Sequence, residues 1–147
     1  MADIELVRRL VAADHGLAVV STTRRDGTIQ SSLVNAGVAP HPVDGHDVVA
    51  FVARGDALKL RHLRRRPYAN VVLRAGWEWV AVEGRTTLVG PDDGLDGFDA
   101  AALPELLRVV FRSAGGHHDD WDEYDLVMAR ERRTAVLVEP ERVTSNG

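Results

Sequence analysis

Lys59 is the only lysine among the 18 basic residues of the chain, and it lies in the run Arg54-Gly55-Asp56-Ala57-Leu58-Lys59-Leu60-Arg61-His62. A bound phosphate needs positive charge and hydrogen-bond donors together, and a strand running into a basic helix supplies both. Lys59 offers a compact ammonium, while Arg54 and Arg61 offer planar forks. The competing reading is a solvated basic helix face, and Asp56 at the helix start works against a simple anion site. Two further groups carry chemistry. Gln30, Ser31 and Ser32 follow a tight turn, with Gln30 and Ser32 sharing one strand face and Ser31 on the other. Trp77 and Trp79 are spaced to share a strand face, where an aromatic pair walls a flat ring or fills a core or interface.

Other constellations are excluded or set aside. His117-His118-Asp119-Asp120 resembles a metal motif, but adjacent histidines point apart and the spacing fixes no third ligand. The expectation is no metal, with Asp119 or Asp120 capping the next helix. No serine sits in a nucleophile elbow, and no glycine-rich dinucleotide fingerprint follows a strand. There is no cysteine, which excludes disulfides and thiolate chemistry and suits a cytoplasmic setting. Met1 to Val11 intersperses charges among apolar residues, so neither a signal peptide nor a membrane span is expected. A net charge of −4 argues against a nucleic-acid partner.

The elements that must position these residues follow from pattern. Asp3 caps a helix carrying Ile4, Val7, Leu10 and Val11 on one face, ended by Gly16. Leu17 to Thr23 and Thr28 to Val38 form a hairpin about Asp26-Gly27. Val48 to Ala53 is a third strand, and Asp56 opens a helix that stops before Pro67. Ala69 to Arg74 and Trp77 to Val89 are two more strands, the second bent at Gly84. A helical pattern covers Phe98 to Phe111 despite Pro104, and another covers Trp121 to Arg132. Thr134 to Val138 is a last strand, and Val143 to Gly147 is expected to fray. Short strands joined by hairpins predict one mainly antiparallel barrel domain over residues 1–147.

Three stretches carry a family resemblance: Arg25-Asp26-Gly27-Thr28-Ile29-Gln30-Ser31-Ser32-Leu33-Val34, Ala53-Arg54-Gly55 through Lys59 to Leu63-Arg64-Arg65-Arg66-Pro67, and Gly76-Trp77-Glu78-Trp79 through Glu83-Gly84-Arg85. In order and spacing they resemble the pyridoxamine-phosphate-oxidase-like, FMN-binding split barrels, specifically the actinobacterial branch using the deazaflavin coenzyme F420. The resemblance implies a six-stranded antiparallel split β-barrel with peripheral helices. It implies a homodimer holding cofactor between its subunits, and an oxidoreductase passing hydride to a conjugated small-molecule acceptor. Carried over residue by residue, the cofactor-binding positions are Gln30, Ser31, Ser32, Ala53, Arg54, Lys59, Arg61, Trp77 and Trp79, with Lys59 at the phosphate. Glu83-Gly84-Arg85 is given a supporting role. No catalytic residue is assigned, and Tyr124 and His118 are the candidates for proton donation. The alternatives are an FMN-dependent oxidase or reductase of the same fold, and a non-enzymatic cofactor- or haem-binding module.

Overall fold

The computed structural model describes residues 3–147. Helix α1, Ile4–Ala13, starts where the Asp3 carboxylate accepts from the Leu6 amide, and it buries Leu6, Val7, Leu10 and Val11. Strands β1, Leu17–Thr23, and β2, Ile29–Pro40, form the first hairpin, in which Asp26 accepts from the backbone and hydroxyl of Thr28. Strand β3, Asp47–Ala53, leads into helix α2, Leu58–Arg65. Strands β4, Tyr68–Ala75, and β5, Glu78–Val89, form the next hairpin. A 3-10 turn precedes helix α3, Leu103–Ser113, which is followed by α4, Trp121–Arg130, and by strands β6, Thr134–Val138, and β7, Arg142–Ser145.

The barrel closes in the order β1-β2-β3-β6-β5-β4, with β4 paired to both β1 and β5, and every pairing is antiparallel. Two strands are long because each serves two sheets. Residues 29–35 of β2 pair with β1, and residues 36–40 pair with β3. Residues 78–85 of β5 pair with β4, and residues 86–89 pair with β6. The change of partner along β5 follows Gly84, where an added Cβ would run into the Glu139 carbonyl oxygen. This is the expected six-stranded split barrel.

Three local expectations are corrected. The C-terminal residues do not simply fray: β7 pairs with β5 from Val80↔Ser145 to Glu83↔Arg142. It is a short edge strand with alternating half-exposed residues, too brief for apolar alternation to betray it. Asp56 does not open α2; the N-cap is Ala57, without a side-chain cap, and Asp56 lies 3.5 Å from Arg54 Nε instead. Pro104 does not interrupt a helix begun earlier. It sits in the first turn of α3, where its missing N–H has no intrahelical role.

Two cores result. Inward-facing residues of the barrel, among them Val20, Val49, Phe51, Val71, Val82 and Val136, pack with α1 and with Leu60 and Leu63 of α2. A second core lies outside the barrel wall, where Ala39, Val48, Ala50 and Leu137 meet Leu106, Leu107 and Val110 of α3 and Tyr124 of α4. Arg108 of α3 pairs with Asp125 of α4, and Arg108 and Arg112 both lie 5.3 Å from the Trp121 ring centre. Among the described residues no helix is long and apolar enough to cross a membrane.

Candidate functional site

Helices α3 and α4 cover only part of the barrel wall, and a cavity of about 320 Å3 opens where their cover ends. Its floor is the sheet: Asn35 of β2 and Val52 of β3 line it, both at outward-facing positions. Val110, Phe111 and Ala114 close it from α3, and Tyr124 and Met128 from α4. His15, Gly115, Gly116 and Arg133 complete the lining. Among the described residues no carboxylate lines it, and Arg133, ion-paired with Glu131 outside the lining, is its one arginine or lysine.

Arg133 reaches this position through a clamp between two turns. The Gly55 amide, after β3, donates to the Glu131 carbonyl, after α4, at 3.0 Å. A Cβ on residue 55 would stand 2.7 Å from Arg132, so the two turns touch only because Gly55 has no side chain. Arg132 takes a left-handed backbone, φ 51°, which redirects the chain into β6. The Glu131 carboxylate accepts from Arg133 Nε at 2.9 Å and fixes the guanidinium.

Lys59 is half-buried, and among the described residues no carboxylate lies within salt-bridge distance of its ammonium. Burial first, then the charge of Arg133, lowers its pKa from the ordinary lysine value. A half-buried ammonium with no carboxylate of its own, near a guanidinium already paired with Glu131, is an arrangement that an anion relieves.

No protein-family model matches the sequence. Solved structures resemble the fold at low identity. A protein of unknown function, Atu2129 from Agrobacterium tumefaciens, aligns with a TM-score of 0.62 at 20% identity, over 99% of this chain and 58% of that one. The chain therefore spans under two thirds of that protein's length. A pyridoxamine 5'-phosphate oxidase-related, FMN-binding protein from Nostoc punctiforme gives 0.65 at 13% identity, over 96% and 81% of the two chains. An F420 reductase gives 0.60 at 15% identity, over 91% and 93%. The fold is that of the pyridoxamine 5'-phosphate oxidase-like barrels.

Within this oxidase-like barrel the sequence-derived positions separate into groups. Lys59 lies near the cavity's one arginine. Ser31 faces outward and its hydroxyl is 2.8 Å from that of Ser21. Gln30 and Ser32 turn the other way, paired across the hairpin with the buried Thr22 and Val20, and Gln30 Oε1 is buried without a partner. Ala53 is in the barrel core. Arg54 and Arg61 are exposed. Trp77 falls in the turn before β5 and is 92% exposed, so it does not share a strand face with Trp79, as its spacing had suggested. Neither tryptophan lines the cavity.

The two proton-donor candidates are already engaged. Tyr124 forms part of the cavity wall, but its hydroxyl donates to the Leu107 carbonyl at 3.1 Å, and burial pushes its pKa up to about 12. His118 Nδ1 accepts from the Asp120 amide, and its ring packs on Trp121 and Tyr124. Asp120 caps α4 by accepting from Glu123. Among the described residues no group of three or more His, Asp or Glu side chains is placed to hold a metal ion.

Sequence reasoning missed Asn35, Val52, Met128 and Arg133. Asn35 lies in a strand otherwise read for its serines, and Val52 is one of a run of apolar strand residues. Arg133 is one arginine among 17. Only the antiparallel pairing of β3 with β6, which sets Val52 beside Ala135, brings Arg133 to a floor residue some eighty positions earlier.

Proposed function

We propose that this protein is a flavin-type oxidoreductase that works as a homodimer, with coenzyme F420 as the favoured cofactor and FMN as the alternative. One observation carries the reading: Lys59 is half-buried within Coulombic reach of Arg133, and among the described residues no carboxylate lies within salt-bridge distance of it. The donor set fits the anionic end of such a cofactor, which carries phosphate in both cases. The exposed Arg54 and Arg61 favour F420, whose acidic glutamate tail gives them partners.

The cofactor, when bound, supplies hydride transfer. The chain's own residues bind, orient and exclude water. Lys59 holds the phosphate, and Ser31 presents a hydroxyl on the outward face. Val52, Phe111 and Met128 keep water from the reacting rings. Tyr124, fixed on the Leu107 carbonyl, is a wall and not an acid. No residue in the cavity is assigned as a proton donor.

The dimer reading rests on the uncovered wall of the barrel. Leu17, Val19, Ile29 and Leu33 are between 39% and 66% exposed and face outward from neighbouring strands, with Val19 paired to Leu33. Leu17, Val19 and Leu33 form one exposed apolar patch, and Ile29 lies beyond the hydrogen-bonded Ser21–Ser31 pair; such a patch on a sheet wall marks an association surface. Trp79 and Arg74, paired across β4 and β5, border it and would contribute to an interfacial site.

Titration with F420 and, in parallel, FMN tests the proposal. Saturable binding of either is expected, with Lys59→Ala weakening it by about 1–3 kcal/mol and leaving the melting temperature unchanged. Binding of neither cofactor overturns the reading. Reduced cofactor that binds but resists reoxidation by every conjugated acceptor tried would instead make the protein a carrier.

A further inference from the structure

We infer that the cavity under α3 and α4 is a binding site for a flat, mainly apolar carboxylate, anchored by Arg133. If the redox reading above is right, that carboxylate is the electron acceptor.

The argument begins with what lines the space. Val52, Val110 and Met128 offer no hydrogen bonds, and the aromatic wall is Phe111 against Tyr124, ring centres 5.1 Å apart and tilted by 41°. The Tyr124 hydroxyl is committed to Leu107, so that wall is apolar in effect. A sheet floor facing an aromatic wall accepts a ring system, and a volume of about 320 Å3 lies within the usual range for small-molecule sites.

The polar groups then decide the ligand's charge. Arg133 is the one arginine or lysine in the lining, and no Asp or Glu opposes it there. Its own counter-ion, Glu131, engages Nε and Nη2 through a single oxygen. Nη1 has no hydrogen-bond partner among the described residues. The guanidinium is thus held in place with one nitrogen still free to donate. A carboxylate matches that fixed donor, and an apolar body matches the walls. Asn35, whose amide nitrogen donates to the His15 carbonyl, keeps its side-chain oxygen free as an acceptor for a second polar group.

The site is formed within one chain and can be tested without any cofactor. The probes are naphthalene-2-carboxylate and the matched naphthalene-2-carboxamide, titrated calorimetrically into the cofactor-free protein. The carboxylate is expected to bind at least tenfold more tightly than the amide. Arg133→Gln should erase that preference, and Arg133→Lys should restore part of it. Met128→Trp, which fills the cavity from α4, should abolish binding of both probes. Circular dichroism and melting curves check that each variant is folded.

Equal affinity for the two probes, or carboxylate binding that survives Arg133→Gln undiminished, would overturn the inference, as would no binding of the carboxylate. The outcome is separable from the redox reading. Carboxylate selectivity without F420 or FMN binding keeps the site and removes the oxidoreductase. Cofactor binding with no carboxylate selectivity does the reverse.

Discussion

The barrel has two outer faces built alike and finished differently. On the face formed by β3, β6 and the second half of β2, the outward residues Ala39, Val48, Ala50 and Leu137 are buried, because α3 and α4 lie over them. On the face formed by β1, β4 and the first half of β2, the outward residues Leu17, Val19 and Leu33 stand open. Both are antiparallel sheet with β-branched and apolar side chains, and β2 runs through both. The difference teaches where to look for function. An apolar wall already covered by its own chain is core, whereas the same wall left bare is where the proposed dimer would form. The cavity lies at the border between the two, on Asn35 and Val52, where internal cover stops.

The comparison breaks most visibly under a buried charge. Ala50→Asp places a carboxylate at a fully buried position between sheet and α3 with no cation to receive it. A loss of about 4 kcal/mol in urea unfolding is expected. Leu33→Asp is the matched change on the bare face. It should shift the stability of the isolated chain by less than about 1 kcal/mol, since the side chain remains in water. Its effect should appear in sedimentation, as conversion of dimer to monomer at micromolar concentration. A wild-type protein that sediments as a monomer would remove the partner, and a Leu33→Asp protein that stays dimeric would move the interface elsewhere.

How much of this could be read beforehand follows the same division. The barrel was legible because its signals are local: the short β-branched run Leu17–Thr23, the Asp26-Gly27 turn, Pro67 ending a helix. Strand β7 was not, since an edge strand of four residues is defined by its pairing to β5 and not by its own pattern. Lys59 stood out as a lone lysine in an arginine-rich chain, and the structure adds that it is half-buried. Gln30 and Ser32 were correctly placed on one face, but whether that face is the inner or the outer one is a tertiary fact. Arg133 was invisible for the strongest reason: its role depends on the Gly55–Glu131 contact, and nothing local to either turn announces the other.

That contact gives a test of intermediate size. Gly55→Ala forces a methyl group to within 2.7 Å of Arg132 and pushes the turn after α4 off the turn after β3. Overpacking of this kind costs about 1–3 kcal/mol. The covered face should loosen at α4 while the bare face stays as it was. Hydrogen exchange should therefore quicken in Trp121–Arg130 and remain slow in β1 and β4. Uniform quickening across the barrel would mean that α4 is not separately anchored.

The smallest effect is also the sharpest control. Leu126 on α4 is 65% exposed, close to Leu33 in degree, yet it sits on the solvent side of a covering helix and not on a sheet wall. Leu126→Gln should change stability by less than about 0.5 kcal/mol and leave the sedimentation coefficient unaltered. If exposure alone drove association, this variant and a Leu33 variant would behave alike. If association depends on a continuous row of outward strand residues, only the Leu33 variant will come apart. A monomeric Leu126→Gln protein would place the partner surface on α4 and return the bare sheet to solvent.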